Sequence, residues 1–158
     1  MAYLLTTQTA YKKFREVTAV DATTAVPTAT QRTNQHFQDY LASGSIQFTR
    51  LSGGVLIAVE LASGGTATFA LWGHPEKGDL EHIGTFTCEA GTQVSSDGLY
   101  WADTIAQTVV GAYSVTLHDN LALNNKSLIQ FDGRGLSDVY PTVSVETGDV
   151  INFWARTY

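Results

Sequence analysis

Turn signals recur every 8–15 residues from about residue 45 to the end of the chain, and each gap between them has the length of a β-strand. No helix of ordinary length fits between such closely spaced breaks. Ile46-Gln47-Phe48-Thr49-Arg50-Leu51 alternates apolar and polar, which predicts one buried face. Ser52-Gly53-Gly54 turns the chain, and Val55 to Leu61 follows as a continuous apolar run, the mark of a central strand. Ser63-Gly64-Gly65 predicts a tight hairpin into Thr66–Trp72. Gly73 to Asp79 reads as a polar loop around Pro75. Further strands are expected over Leu80–Cys88, with Ile83, Phe86 and Cys88 in the core, and over Leu99–Ala102 and Ile105–Val110. Tyr113–Leu117, Leu128–Phe131, Val143–Val145 and Val150–Trp154 complete the series. Ser95-Ser96-Asp97-Gly98 and Asp132-Gly133-Arg134-Gly135 are turns by composition. About nine or ten strands at this spacing predict an all-β protein, an antiparallel β-sandwich of jelly-roll-like type.

Residues 1–44 read differently. They are rich in Thr, Gln and Ala and poor in large aliphatics, which predicts an extended N-terminal arm ahead of a sandwich domain at 45–158. Phe14–Val20 is a candidate strand. Phe37, Tyr40 and Leu41 fall at helical spacing and mark a short helix or a continuation of the arm. The whole chain of 158 residues is the size of one domain with a core of its own.

Composition narrows the function. Charged residues are 15%, against about 25% in an average domain, and the deficit is filled largely by 21 threonines with Ser, Gly and Ala. A net charge of −6 argues against nucleic acid, whose phosphates need clustered Lys and Arg, and against anionic membrane surfaces. Neither a secretory signal nor an apolar run of membrane-spanning length is visible, so the chain is expected to be soluble. The sequon at Asn125 is then a chance match. One cysteine rules out an internal disulfide and cysteine-based metal clusters.

Candidate chemistry is sparse. His36, His74, His82 and His118 lack the paired spacing of a zinc site, and His74-Pro75-Glu76 lacks the P-C-x-x-C partner of a zinc deaminase. Cys88 reads as a buried thiol next to Glu89. Asp97, Asp103, Asp119, Asp132 and Asp138 are the acids available for paired-carboxylate chemistry, mostly in turn contexts. Asp119, Asn120 and Asp132 could supply oxygens to calcium. Trp72, Trp101 and Trp154 with Tyr100 could form a sugar-stacking platform, or fill a core or subunit interface. No G-x-S-x-G, P-loop or G-x-G-x-x-G occurs. These readings predict no catalytic residue, no cofactor and no metal.

The run Tyr100-Trp101-Ala102-Asp103-Thr104-Ile105, then Val115-Thr116-Leu117-His118-Asp119, then Ser127-Leu128-Ile129-Gln130-Phe131-Asp132-Gly133-Arg134-Gly135 and a strand around Val143 carries a family pattern. It resembles the small virion proteins of tailed bacteriophages, among them the capsid decoration or cement proteins. The sequence departs from that pattern after Gly135, where Tyr140-Pro141 is expected to interrupt the strand. The resemblance implies a non-enzymatic protein of the virion that binds the outer surface of the phage head. It would bridge subunits of the major capsid protein, often as a homotrimer. A head–tail or fibre component, or a carbohydrate- or receptor-binding module, are the other readings. The large apolar groups Tyr3, Leu4, Leu5, Tyr11 and Phe14 are then the candidate capsid anchors of the arm. Phe153, Trp154 and Tyr158, in the aromatic-rich last strand, are the candidates for packing between subunits.

Overall fold

The computed structural model describes residues 3–5, 11–17, 46–48, 53–75, 79–119, 126–148 and 150–157. Eleven strands account for most of them: β1 (Tyr3–Leu5), β2 (Lys12–Val17), β3 (Ile46–Phe48), β4 (Gly54–Leu61), β5 (Thr66–Pro75), β6 (Glu81–Val94), β7 (Tyr100–Val110), β8 (Val115–His118), β9 (Leu128–Asp132), β10 (Leu136–Thr147) and β11 (Ile151–Thr157). The described residues contain no helix. The protein is all-β, a curled sheet of the sandwich and jelly-roll-like class. The strand order is β1-β3-β10-β5-β6-β7-β4-β11-β2, with β9 on β4 and β8 on β9. Every pair is antiparallel except β1 with β3, which is parallel. The candidate helix near residue 37, Tyr158, and the sequon Asn125 lie outside the described residues.

The turns predicted at Ser63–Gly65 and Ser95–Gly98 form from local chemistry. At Ala62–Gly65 the Gly65 amide donates to the Ala62 carbonyl at 2.9 Å, and Gly64 takes φ +67°. Gly98 (φ +78°) closes the loop begun by Ser95, whose amide donates to the Leu99 carbonyl at 2.7 Å. Left-handed φ suits glycine because it has no Cβ to clash.

Bulges and long-range pairing, which sequence periodicity does not announce, change two expectations and explain how a third is met. The two segments Leu99–Ala102 and Ile105–Val110 are one strand, β7. Glu89 pairs with Thr104 and Ala90 with Ala102, so Asp103 is the extra residue of a bulge rather than a break. The pairing of β5 with β6 also slips by one residue between Leu71 and Trp72. Ile83 and Phe86, an odd number of residues apart, therefore both reach the core with Cys88. β5 runs on through Gly73-His74-Pro75, which had been expected to form a loop, because β10 pairs with it to Leu136.

Nor does Tyr140-Pro141 interrupt its strand. β10 runs through it, with Pro141 registered against Leu71. The other neighbour of β10, β3, is registered only with Asp138 and Val139. Beyond Val139 one side of β10 has no registered neighbour among the described residues, and such a side tolerates a residue lacking an N–H.

The core lies inside the curl. Val55, Ile57, Val59 and Leu61 of β4 meet Phe69 and Leu71 of β5, Phe86 of β6, and Ile151 and Phe153 of β11. An aromatic chain runs through it. Phe14 lies 6.1 Å from Phe153, Phe153 lies 4.9 Å from Phe69, and Phe69 lies 5.6 Å from Phe86. Trp72 is buried with Ala70 and Leu80 in a second cluster, its Nε1 donating to Thr142 Oγ1 at 2.9 Å.

Candidate functional site

Strand β4 is buried on both faces. Its odd residues fill the core, and its even residues Leu56, Ala58 and Glu60 are buried on the opposite face. Something must cover that outer face, since a bare apolar strand would face water. Leu128 of β9 packs there, and Tyr11, Trp101 and Trp154 close over it from three other segments. Trp101 and Trp154 meet edge-on, with centroids 5.8 Å apart at 64°, an arrangement favoured by the ring quadrupoles.

Cations cap these rings. Lys126 Nζ stands 4.2 Å from the Trp101 centroid and 4.9 Å from that of Tyr11. Lys13 Nζ is 5.8 Å from Trp154, and the Arg156 guanidinium is 5.4 Å from Tyr11. These are cation–π distances. Lys13 is also tied to Asp97 at 2.9 Å and Glu16 at 3.3 Å, and the bond to Asp97 is the main cause that raises its pKa. Burial lowers the pKa of Lys126, the charge of Arg156 lowers it further, and that of Glu60 opposes them. Burial raises the Tyr11 phenol, against the pull of Arg156.

Under this lid lies Glu60, registered with Asn152 on one side and Trp101 on the other. Glu60 is 0% and Asn152 1% exposed, and Asn152 Nδ2 donates to Glu60 Oε1 at 2.8 Å. Glu60 Oε2, Asn152 Oδ1 and Trp154 Nε1 are buried without a hydrogen-bond partner. A buried carboxyl group that is only half satisfied is costly, and such groups call for an explanation.

The sequence-predicted site residues are scattered over this frame. Tyr3, Leu4 and Leu5 form β1 on the far edge of the sheet, beside β3. Tyr11 belongs to the aromatic lid. Phe14, 2% exposed, packs on the equally buried Phe153, so the structure joins two residues that the sequence assigned to different contacts. Trp154 is half-buried in the lid.

The proposed tryptophan platform does not assemble. Trp72 is in the core, and Trp101 and Trp154 are not coplanar. The calcium triad fails too. Asp119 follows His118, which is paired with Leu128, whereas Asp132 follows Phe131, which is paired with Val115. The two acids therefore lie at opposite ends of the β8–β9 hairpin. Asp132 is moreover held by Arg134, whose Nη2 is 2.6 Å away and whose hydrogen bonds pull the carboxyl pKa down. The described residues hold no cluster of metal-ligating side chains.

Cys88 is buried as expected, and burial pushes its thiol up to about 12. One unexpected pair resembles catalytic machinery. His74 Nδ1 lies 2.9 Å from Ser137 Oγ, but that hydroxyl also donates to the His74 carbonyl at 3.1 Å. A serine has one proton, and a carbonyl only accepts. The assignment that satisfies both bonds puts the proton on Nδ1, so His74 donates to Ser137 instead of activating it as a base would.

Two surfaces remain. A depression of ≈ 400 Å³ on the outer face of β5, β6 and β7 is lined by Thr66, Thr68, Thr87, Glu89, Thr104 and Ala106. Another, of ≈ 340 Å³, lies beside Asp132 and Arg134. Sequence reasoning missed Glu60, Asn152 and Lys126. The available signal was an acid inside the run Val55–Leu61, on a strand expected to be central.

No protein-family model, curated protein or solved structure matches the chain.

Proposed function

We propose that the chain is a non-enzymatic structural protein of a bacteriophage virion, a capsid decoration protein that binds the outside of the head and bridges capsid subunits. The observation that supports this reading best is the sparsely charged outer face of β5, β6 and β7 around the ≈ 400 Å³ depression, with the adjoining part of β10 at Ser144. Thr66, Thr87, Thr104, Ala106 and Ser144 lie on these strands, with Glu89 the charge among the residues lining the depression. Depletion of charge is what marks the centre of a protein contact. Val109 and Val110, 51% and 78% exposed at the end of β7, add apolar area at its margin. In a homotrimer, several weak contacts of this kind would multiply through effective concentration. Tyr3, Leu4 and Leu5 are the arm residues left for the capsid, since Phe14 packs on Phe153 and Tyr11 lies under Lys126. Trp154 and Tyr158 remain the candidates for subunit packing.

The test is light scattering of the purified chain, together with co-sedimentation with heads assembled from the major capsid protein of the same genome. A trimer that pellets with the heads is expected. Val110→Lys should weaken pelleting without moving the melting temperature, because exposed substitutions rarely change stability by more than about 0.5 kcal/mol. A monomer that stays in the supernatant refutes the proposal.

A further inference from the structure

Three reactive side-chain types lie on the face of the sheet that carries Glu60. Asn152 is its registered neighbour on β11. Trp101 of β7 is its registered neighbour on the other side, and the Ser127 amide donates to the Ala102 carbonyl at 2.8 Å, which sets Lys126 along β7 on that side of Glu60. The Lys126 side chain lies on the same face, with its ammonium over Trp101 and Tyr11. An amine at the aromatic lid and a carboxamide and a carboxyl group under it thus share one face of the sheet. The carboxamide is already bonded to the carboxyl group at 2.8 Å. Glu60 Oε2 and Asn152 Oδ1 both have hydrogen-bonding capacity to spare.

We propose that Lys126 and Asn152 condense spontaneously into an intramolecular isopeptide bond, with Glu60 moving the proton. The neutral Lys126 Nζ attacks Asn152 Cγ, and a new Nζ–Cγ bond forms. Glu60 accepts the proton shed by Nζ and passes it to Nδ2. The Cγ–Nδ2 bond then breaks, and ammonia leaves. One amide replaces another, so the step needs no oxidant, metal or activated co-reactant. The surroundings favour it in three ways. Burial and the neighbouring Arg156 charge favour the neutral amine that must attack and outweigh the opposing charge of Glu60. The aromatic lid keeps water from the tetrahedral carbon. The Glu60–Asn152 bond holds the carboxamide, and the amine sits 4.2 Å from the ring of Trp101, the registered neighbour of Glu60, so the step is intramolecular rather than an encounter. The product would fasten the entry of β9 to the last strand, β11, across the outer face of β4.

Intact-mass spectrometry of the purified full-length chain tests this directly. The expected mass is the sequence mass, with or without Met1, less one ammonia. A protease digest should contain a branched peptide joining Lys126 to Asn152. Lys126→Arg, which keeps a cation over the rings but offers no amine of that kind, and Glu60→Gln should both keep the ammonia. Wild-type chain whose Cys88 is protected, and which is therefore folded, but which has the full sequence mass overturns the proposal. So does a loss of ammonia without the branched peptide, the signature of a cyclised asparagine, or a loss that persists in Lys126→Arg.

Discussion

Replacing Phe14 by alanine tests whether β2 is part of the core or the tail of an arm. The side chain is 2% exposed and packs on Phe153 at 6.1 Å. β2 is held to β11 by pairs running from Ile151↔Val17 to Ala155↔Lys12. Truncating a buried phenylalanine costs about 3–5 kcal/mol, the transfer term and the cavity together. A domain of this size has a total stability of about 5–15 kcal/mol, so the loss would be a large fraction of the whole. At about 2–4 °C per kcal/mol the melting temperature should fall by roughly 6–20 °C. Urea titration followed by tryptophan fluorescence gives the free energy. Limited trypsin digestion gives an independent readout, because Lys12, Lys13 and Arg15 all lie in β2. The wild type should resist cutting there and Phe14→Ala should not. A free-energy change below about 1 kcal/mol, with unchanged cleavage at these sites, would refute the assignment of β2 to the core.

Cys88 should resist thiol reagents at pH 8 until denaturant is added, since a thiol held at about 12 is ionised to roughly one part in 10,000 there. Its folded pKa lies above its ordinary value of 9.0. The native state therefore binds the proton more tightly, and this contribution is complete below about pH 9 and fades as the pH rises toward about 12, measurable as a falling urea midpoint. Gly111→Ala should be far more damaging than Gly98→Ala. A Cβ at Gly111 would meet the His82 carbonyl oxygen at 2.2 Å and the Ile83 backbone at 2.4 Å, whereas at Gly98 it meets open space and only the positive φ is strained. Thermal melts should show a loss of about 1–2 kcal/mol for Gly98→Ala and several for Gly111→Ala.

What the sequence disclosed was what local chemistry decides. Gly64, Gly98 and Gly135 lie in turns that any chain with those residues would favour, and all three have positive φ. The apolar run of β4 announced a central strand, and β4 is paired on both sides and buried on both faces. What stayed hidden depends on partners far along the chain. Asp103 looks like a break until β6 pairs beside it and absorbs it as a bulge. Pro141 looks like a stop until one side of β10 proves to lack a registered neighbour. Glu60 and Asn152 are 92 residues apart, and no window of sequence contains both. Phe14 was assigned to an arm because its neighbours are polar. The register with β11 instead sends it into the core, with a shift between Phe153 and Trp154.

The two faces of β4 explain why the candidate site and the fold cannot be separated. The inner face is closed by the curl of the sheet, but the outer face depends on Tyr11, Trp101 and Trp154, contributed from beside β2, from β7 and from β11. An edge strand such as β2 is ordinarily the first to fray. Here, though, it carries Lys13 over Trp154 and follows directly from Tyr11, so fraying would uncover Glu60 and Asn152 to water. Leaving a carboxyl group in an apolar strand costs stability, and the same group under a closed lid can drive chemistry that water would quench. The lid, and so the β2 strand behind it, is therefore a condition of any reaction at Glu60. A Phe14→Ala chain in which β2 has come loose should retain its ammonia where the wild type loses it, so the packing of the core and the chemistry of the outer face stand or fall together.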